Sequence, residues 1–308
     1  MSYDIIGDIH GHADQLTALL KTLGYRHRNG AWRHPSRSAI FVGDFVDRGP
    51  GQLRTLELVR DMIDAGSARA VMGNHEFNAI AWATPDPLVD GRYLRPRDGN
   101  KGSKNRQQHQ AFLAEVEGDR AAHRSWIEWF LELPIWIEEP EFRVVHACWS
   151  PKHVDHLRPL LSDGQCLSLS LVEAASRRGS AEYEAIETLL KGAELELPAG
   201  HSFTDKDGHH RTAIRTRWWD PALTTYRSSY IGPPGVDMPD LPLPPSEQIA
   251  PPDRPTFVGH YWFDPLGPLA PVTSRVACVD FSVAKGGPLV AYRFDGEAEL
   301  SASKFVAV

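Results

Sequence analysis

The chain of 308 residues is poor in cysteine, in long apolar runs and in positive charge. Its three cysteines, Cys148, Cys166 and Cys278, are an odd number without metal-ligand spacing, so they imply neither a disulfide framework nor a zinc knuckle. No apolar run approaches the about 18 residues of a membrane-spanning helix, and Met1 leads directly into a β-rich run without a signal segment. We therefore expect a cytoplasmic protein that is neither exported nor inserted into a membrane.

The net charge of −7 is that of an acidic chain. Proteins that bind a nucleic-acid backbone usually carry a strongly basic face, so we expect no stable nucleic-acid binding. Residues 91–106, GRYLRPRDGNKGSKNR, are a basic exception. Their basic side chains are Arg92, Arg95, Arg97, Lys101, Lys104 and Arg106. Such a segment is either a solvated surface or a contact with a polyanionic substrate.

One pattern recurs along the chain: a short β-rich apolar run that ends in Asp, Asn or His. It appears in YDIIGD, AIFVGD, ARAVMGN, FRVVHA and PTFVGH. The segments between the first runs have helical periodicity, as in Leu16, Leu19, Leu20 and Leu23. This alternation predicts an α/β fold. Because ligands bind at the carboxyl ends of the strands in open α/β sheets, we expect the polar endings to converge on one site.

The remaining segments indicate one domain over 1–308 with additions. Helical patterns over 81–135 and 151–192 predict a helical insertion or cap beside the sheet. The proline-rich stretch 231–255 is expected to be an extended loop. The C-terminal runs SRVACVDFS and PLVAYRF predict a second sheet.

The polar residues at the strand ends form a mixed oxygen and nitrogen donor set that suits divalent manganese, iron or zinc. They are Asp8, His10, Asp44, Asn74, His146 and His260. Six ligands exceed the need of one tetrahedral ion. Two metals about 3.5–4 Å apart, bridged by a carboxylate and a hydroxide, would use them all and would serve displacement at phosphorus. Asp44, midway in the series, is the expected bridge.

Three motifs add a family resemblance. GDIHG, GDFVDRG and GNHE, in this order, resemble the signature of the calcineurin-like metallophosphoesterases, over residues 3–80 and more thinly to residue 260. Within that superfamily they are most similar to the phosphoprotein-phosphatase-type branch, which includes bacterial serine/threonine phosphatases and symmetrical diadenosine tetraphosphate hydrolases. The resemblance implies a two-sheet αββα sandwich flanked by helices, with two divalent metal ions. We expect manganese, with iron, zinc, cobalt, nickel and magnesium as alternatives.

The resemblance also implies ligand groups. It assigns Asp8, His10 and Asp44 to the first metal, and Asp44, Asn74, His146 and His260 to the second.

Further roles follow from the same resemblance. His75 would be the general acid that protonates the leaving oxygen, and Asp47 would orient its imidazole. Arg48 would bind phosphate oxygens through its planar fork of donors. Near the segment RTRWWDP, Arg217 and Arg227 are candidates for a second phosphate-binding arginine.

These residues predict an enzyme, a metal-dependent phosphatase in which a metal-bridging hydroxide attacks phosphorus. The main hypothesis is hydrolysis of phosphate monoesters, including phosphoserine and phosphothreonine, with a phosphorylated small molecule, nucleotide or phosphoprotein as substrate. The alternative is symmetrical cleavage of a dinucleoside tetraphosphate, which needs base-stacking aromatics. The candidates for stacking are Trp149, Trp218, Trp219, Tyr261 and Trp262, with packing of the core as their other role. A third hypothesis is a catalytically silent scaffold that presents the proline-rich loop.

Overall fold

The structure, a computed structural model, describes residues 2–162, 164–204, 210–232, 235–245 and 248–308. Its helices are α1 (Ala13–Leu23), α2 (Gln52–Asp64), α3 (Asn74–Ala83), α4 (Gly99–Gln108), α5 (Gln110–Val116), α6 (Arg120–Leu131), α7 (Pro151–Leu157), α8 (Leu169–Ala175), α9 (Ala181–Lys191) and α10 (Tyr226–Ser229). Its longer strands are β1 (Ser2–Ile6), β4 (Arg37–Phe41) and β15 (Val290–Phe294). The shorter strands are β2 (Arg26–Arg28), β3 (Ala31–Arg33), β5 (Ala68–Ala70), β6 (Trp136–Glu138), β7 (Arg143–Val145), β8 (Glu194–Glu196), β9 (Phe203–Thr204), β10 (His210–Arg211), β11 (Ala213–Thr216), β12 (Tyr230–Ile231), β13 (Thr256–Val258), β14 (Val276–Cys278) and β16 (Phe305–Ala307).

Two sheets form the centre of the fold, as the two-sheet prediction requires. The first has the order β16-β15-β1-β4-β5, in which β1, β4 and β5 are parallel. The second has the order β14-β13-β7-β6, in which β14, β13 and β7 are parallel. The expectation for PLVAYRF differs from the structure, because β15 joins the first sheet, antiparallel to β1.

The alternation of side chains along the strands explains the layers. In β1, Ile5 belongs to an apolar cluster that also contains Val144 and Phe257 of the second sheet. The next residue, Ile6, belongs to the other large cluster, with Leu16 of α1 and Val59 of α2. Successive side chains of a strand point to opposite faces, so one face packs against the second sheet and the other against helices. The architecture is therefore a sandwich of two sheets flanked by helices.

The helical and proline-rich segments lie beside this sandwich. In the sequence, helices α4 to α6 lie between α3 and β6, and helices α7 to α9 lie between β7 and β8. The proline-rich stretch leads from β12 to β13, and its residues 233–234 and 246–247 lie outside the described part. None of the described helices combines the length and apolar character that crossing a membrane requires.

Candidate active site

The structure brings the six predicted metal ligands together at the carboxyl ends of five strands. Asp8 and His10 follow β1, Asp44 follows β4, Asn74 begins α3 after β5, His146 follows β7 and His260 follows β13. None of them is more than 8 % exposed. Oδ2 of Asp44 lies 3.3 Å from Nε2 of His146 and 3.7 Å from Nε2 of His10. The cluster therefore joins donors from both sheets around one carboxylate.

Hydrogen bonds to the backbone fix which nitrogen of two histidines faces this carboxylate. Nδ1 of His10 lies 2.9 Å from the carbonyl oxygen of Val46, and Nδ1 of His146 lies 2.7 Å from that of Val42. Because a carbonyl only accepts, each Nδ1 carries a proton, which leaves the Nε2 lone pair free in the neutral ring. Metal-binding histidines are usually oriented in this way.

Several buried atoms of the cluster that could bind a metal have no hydrogen-bond partner among the described residues. They are Oδ1 of Asp8, Nε2 of His10 and both ring nitrogens of His260. Nε2 of His146 also lies 3.3 Å from Oδ1 of Asn74, so two acceptors face each other when the ring is neutral. Unpaired buried polar atoms are costly unless a ligand satisfies them. The donor set therefore fits divalent cations.

Two groups of donors meet the distance requirement of a metal site. In each, the possible ligand atoms lie within 4.8 Å of one another. The groups are His10, Asp44 and His75, and Asp44, His146 and His260. Asp44 belongs to both, which is the position that a bridging carboxylate needs.

The electrostatics of the cluster also call for positive charge. Burial and the neighbouring Asp280 carboxylate raise the pKa of Asp8 well above its usual value. Burial opposes protonation of His146, but the Asp44 carboxylate outweighs it and raises the pKa of His146 to about 10. A protonated His146 thus balances the Asp44 carboxylate, whose own pKa lies well below its usual value, and a metal ion at Asp44 would displace that proton.

Several residues of the site have a backbone conformation that residues other than glycine rarely adopt. Positive φ angles occur at His10 (47°), Asp44 (53°), Asp47 (71°), Arg48 (73°) and His260 (69°). Non-glycine residues in this region cost free energy and concentrate at functional sites. Five of the predicted site residues share this property.

The buried carboxylate of Glu76 holds the strained loop after β4 in place. Its Oε2 accepts hydrogen bonds from the backbone nitrogens of Asp44 (2.8 Å) and Gly73 (3.0 Å), and its Oε1 accepts one from Phe45 (2.8 Å). Glu76 is fully buried. The last residue of GNHE therefore positions Asp44 through the backbone.

Glycines precede two of the ligands because no side chain would fit there. A Cβ on Gly73 would lie 2.2 Å from Oδ1 of Asp44, and a Cβ on Gly259 would lie 2.0 Å from Oδ1 of Asp8. The Gly-Asn and Gly-His endings in the sequence thus reflect the close approach of a carboxylate to the backbone.

We expect Gly259→Ala to lower the affinity for Mn²⁺ by at least about tenfold, because the Asp8 carboxylate must move away from the new methyl group. Isothermal titration with Mn²⁺ measures this change. Gly118→Ala is the matched control, since a Cβ there meets nothing within 4 Å. Wild-type affinity in a folded Gly259→Ala protein would contradict the placement of Asp8 in the metal centre.

His75 stands beside the cluster and is held by a second carboxylate. Its Nδ1 lies 2.5 Å from Oδ2 of Asp47, and its Nε2 lies 3.9 Å from Oδ2 of Asp44. The other oxygen of Asp47 lies 2.7 Å from Nδ1 of the fully buried His109. Burial alone would lower the pKa of His75, but Asp44 and Asp47 outweigh it and raise the pKa. The two carboxylates therefore favour the protonated form of His75 next to the donor cluster.

Comparison with known proteins places more than half of the chain in one family. A sequence model of the calcineurin-like phosphoesterase family matches residues 1–173, which is more than half of the chain. The chain belongs to the calcineurin-like phosphoesterase family. Phosphoesterases of this family use divalent metals, and this chain has His and Asp groups that could bind them.

Individual relatives match over a shorter region. The asymmetrical bis(5'-nucleosyl)-tetraphosphatases PrpE of Halalkalibacterium halodurans and Bacillus subtilis are 46% and 45% identical over 76 residues. Each match covers 24% of this chain and 31% of the relative, so it spans under a third of the relatives' length. A protein serine/threonine phosphatase of Saccharomyces cerevisiae is 14% identical, with a TM-score of 0.44, over 100% of this chain and 79% of that chain.

A cavity of about 490 Å³ opens beside the donor cluster of this phosphoesterase. Asp44, Asn74, His75 and His260 form part of its wall. The wall also carries six cations, namely Arg48, Arg95, Lys101, Arg178, Lys191 and Arg215. The volume is that of a small-molecule site.

The structure does not bring Arg217 or Arg227 to this cavity. Arg217 lines a separate cavity, and Arg227 lies 3.4 Å from Asp237 and 3.7 Å from Asp240. Arg215, which belongs to β11 and precedes Arg217 by two residues, lines the cavity instead. Alternation along a strand places residues two apart on the same face, but β11 ends at Thr216 and the chain turns after it.

Four of the five candidate stacking aromatics are packed in the core. Trp149, Trp218, Trp219 and Tyr261 are at most 7% exposed and belong to the main apolar cluster. Trp262 lines the cavity, but the guanidinium of Arg48 lies over its ring at 4.1 Å. Core packing is thus the role of four of these residues.

Proposed function

We propose that the protein hydrolyses phosphate monoesters, with Asp8, His10, Asp44, Asn74, His146 and His260 holding two divalent metal ions. The observation that supports this most strongly is the position of Asp44, which is within 4 Å of His10, His75 and His146. A metal centre and a proton donor thereby share one carboxylate. A divalent ion held by these residues would supply a nucleophile from water at neutral pH and would stabilise negative charge on phosphoryl oxygens.

The chain's own residues would perform the remaining steps. His75 donates the proton that the leaving oxygen needs, and Asp47 keeps Nδ1 of its imidazole protonated and correctly oriented. Arg48 and Arg215 bind the phosphate oxygens, because guanidinium groups offer paired donors to phosphate. The stacking of Arg48 on Trp262 limits the movement of its side chain.

The donor chemistry favours one metal, and the cysteines favour one compartment. The mixed carboxylate, amide and imidazole set favours manganese, with iron, zinc, cobalt, nickel and magnesium as alternatives. The cysteines Cys148, Cys166 and Cys278 are all free, which suits a reducing cytoplasm.

A second candidate function is hydrolysis of a dinucleoside tetraphosphate. It is favoured by the cations that line the cavity and by the names of the relatives over 76 residues. The chromatographic products from diadenosine tetraphosphate distinguish the versions: symmetrical cleavage gives two diphosphates, and uneven cleavage gives a triphosphate and a monophosphate. An intact dinucleotide after incubation at micromolar enzyme would eliminate both.

The test of the main proposal is metal content together with turnover of p-nitrophenyl phosphate. We expect about two equivalents of metal per chain and activity that is lost on chelation and restored by Mn²⁺. Metal-loaded protein that turns over neither p-nitrophenyl phosphate nor diadenosine tetraphosphate would favour the silent scaffold.

A further inference from the structure

The basic segment 91–106 divides into paired and unpaired cations. Arg92 lies 2.6 Å from Asp98, and Arg106 lies 2.7 Å from Glu117. The guanidinium of Arg97 lies over the ring of Tyr93 at 3.3 Å. Arg95 and Lys101, from the same segment, instead line the cavity beside the metal ligands.

Arg95 is a cation without a carboxylate partner. Its Nη2 donates to the neutral Oε1 of Gln108 at 2.7 Å, and no ion pair of Arg95 occurs among the described residues. Burial lowers the pKa of Arg95 to about 10, and the Asp47 and Glu187 carboxylates, which lie beyond ion-pair distance, offset only part of this shift. An anion that entered the cavity would compensate this charge.

The charges of the cavity exceed what one phosphate requires. Its carboxylates are Asp44, which belongs to the metal centre, and Glu187, which forms an ion pair with Lys191. Arg48 and Arg215 suffice for the phosphate at the metals, since one arginine fork takes two oxygens. Three further cations, Arg95, Lys101 and Arg178, are left over in a chain whose net charge is −7.

These three cations come from the two helical segments beside the sheets. Lys101 belongs to α4 and Arg95 precedes it, whereas Arg178 lies between α8 and α9. Both helical segments therefore contribute positive charge to one cavity.

We propose that Arg95, Lys101 and Arg178 form a second phosphate-binding site, so that the substrate carries a second phosphate on the same molecule. This inference rests on the proposed phosphatase function, because the first phosphate must occupy the metal centre. The second phosphate belongs either to a continuous polyphosphate chain or to a separate ester on the same scaffold. The two share the chemistry that the three cations recognise.

The test compares adenosine 5'-monophosphate, adenosine 3',5'-bisphosphate and ATP by release of phosphate, with p-nitrophenyl phosphate as reference. We expect kcat/KM for the bisphosphate or for ATP to exceed that for the monophosphate by at least about tenfold. The bisphosphate identifies a separate ester, and ATP identifies a chain. Arg95→Gln should remove about tenfold of this preference. Arg178→Gln, at an exposed position, replaces it if Arg95 is needed for folding.

Arg92→Gln is the matched control, since its charge is already paired with Asp98 and it should retain the preference. The inference is overturned if the wild type hydrolyses p-nitrophenyl phosphate without preferring either doubly phosphorylated compound. It is also overturned if Arg95→Gln and Arg178→Gln lower all substrates by the same factor. Absence of turnover for every compound, p-nitrophenyl phosphate included, instead overturns the proposed phosphatase function on which the inference depends.

Discussion

Replacement of His75 by asparagine is expected to lower kcat for phenyl phosphate by about 10²–10⁴-fold, the usual contribution of a general acid. Asp44 and Asp47 raise the pKa of the imidazole and so favour its protonated form, and asparagine cannot supply that proton. The loss should be smaller with p-nitrophenyl phosphate, because the more acidic nitrophenol leaves without protonation. Steady-state kinetics with both substrates measure the difference.

Metal content separates this role from ligation, since His75 also lies in one donor group with His10 and Asp44. A general acid can be removed without loss of metal, whereas loss of an equivalent of metal in His75→Asn would identify a ligand. An equal loss for the two substrates would also contradict proton donation. His27→Asn, on the exposed strand β2, is the control and should retain wild-type activity.

Replacement of Asp44 by asparagine is expected to abolish stable binding of the metal pair. The change removes the charge that faces three imidazoles, and metal affinity should fall by more than the about 10–100-fold typical of residues that only support ligands. Activity on p-nitrophenyl phosphate should fall with metal content and return only partly at high Mn²⁺. Metal analysis after dialysis and a Mn²⁺ titration of activity give both quantities.

The control for this change is Asp61→Asn, which alters the same charge at an exposed position on α2. Full metal content in Asp44→Asn would contradict the bridging position. A general loss of folding would appear in circular dichroism, and the Gly259→Ala protein then provides an independent test of the same centre.

Much of the site was predictable because its residues follow strands. The apolar run before Asp8 and the run before Asp44 reveal β1 and β4 locally, and parallel strands end at one edge. The same argument places His146 and His260, although they are 114 residues apart. Local patterns therefore suffice to predict a site residue where that residue directly follows a strand, because the strand fixes its place at the sheet edge.

The remaining features depend on contacts that no local pattern contains. His109 stands among glutamines, which suggests a surface, yet it is fully buried and contacts Asp47. Arg215 lies on β11 and lines the cavity, whereas Arg217 lies just beyond the end of β11 and does not. Because the ends of strands are poorly determined by sequence, the sequence does not distinguish the two arginines. The pairing of β15 with β1 is equally nonlocal, because the alternation that predicts a strand does not name its neighbour.

The position of β1 in the first sheet has a consequence for biosynthesis. This strand lies between β4 and β15, so Tyr3 pairs with Phe294, which is translated long after Tyr3. Contacts between such distant segments form slowly because a long loop must close first. During synthesis, the edge of β1 that faces away from β4 stays unpaired until β15 has been made. Completion of the first sheet is therefore a late step of folding, and until then the open edge of β1 is prone to wrong pairing.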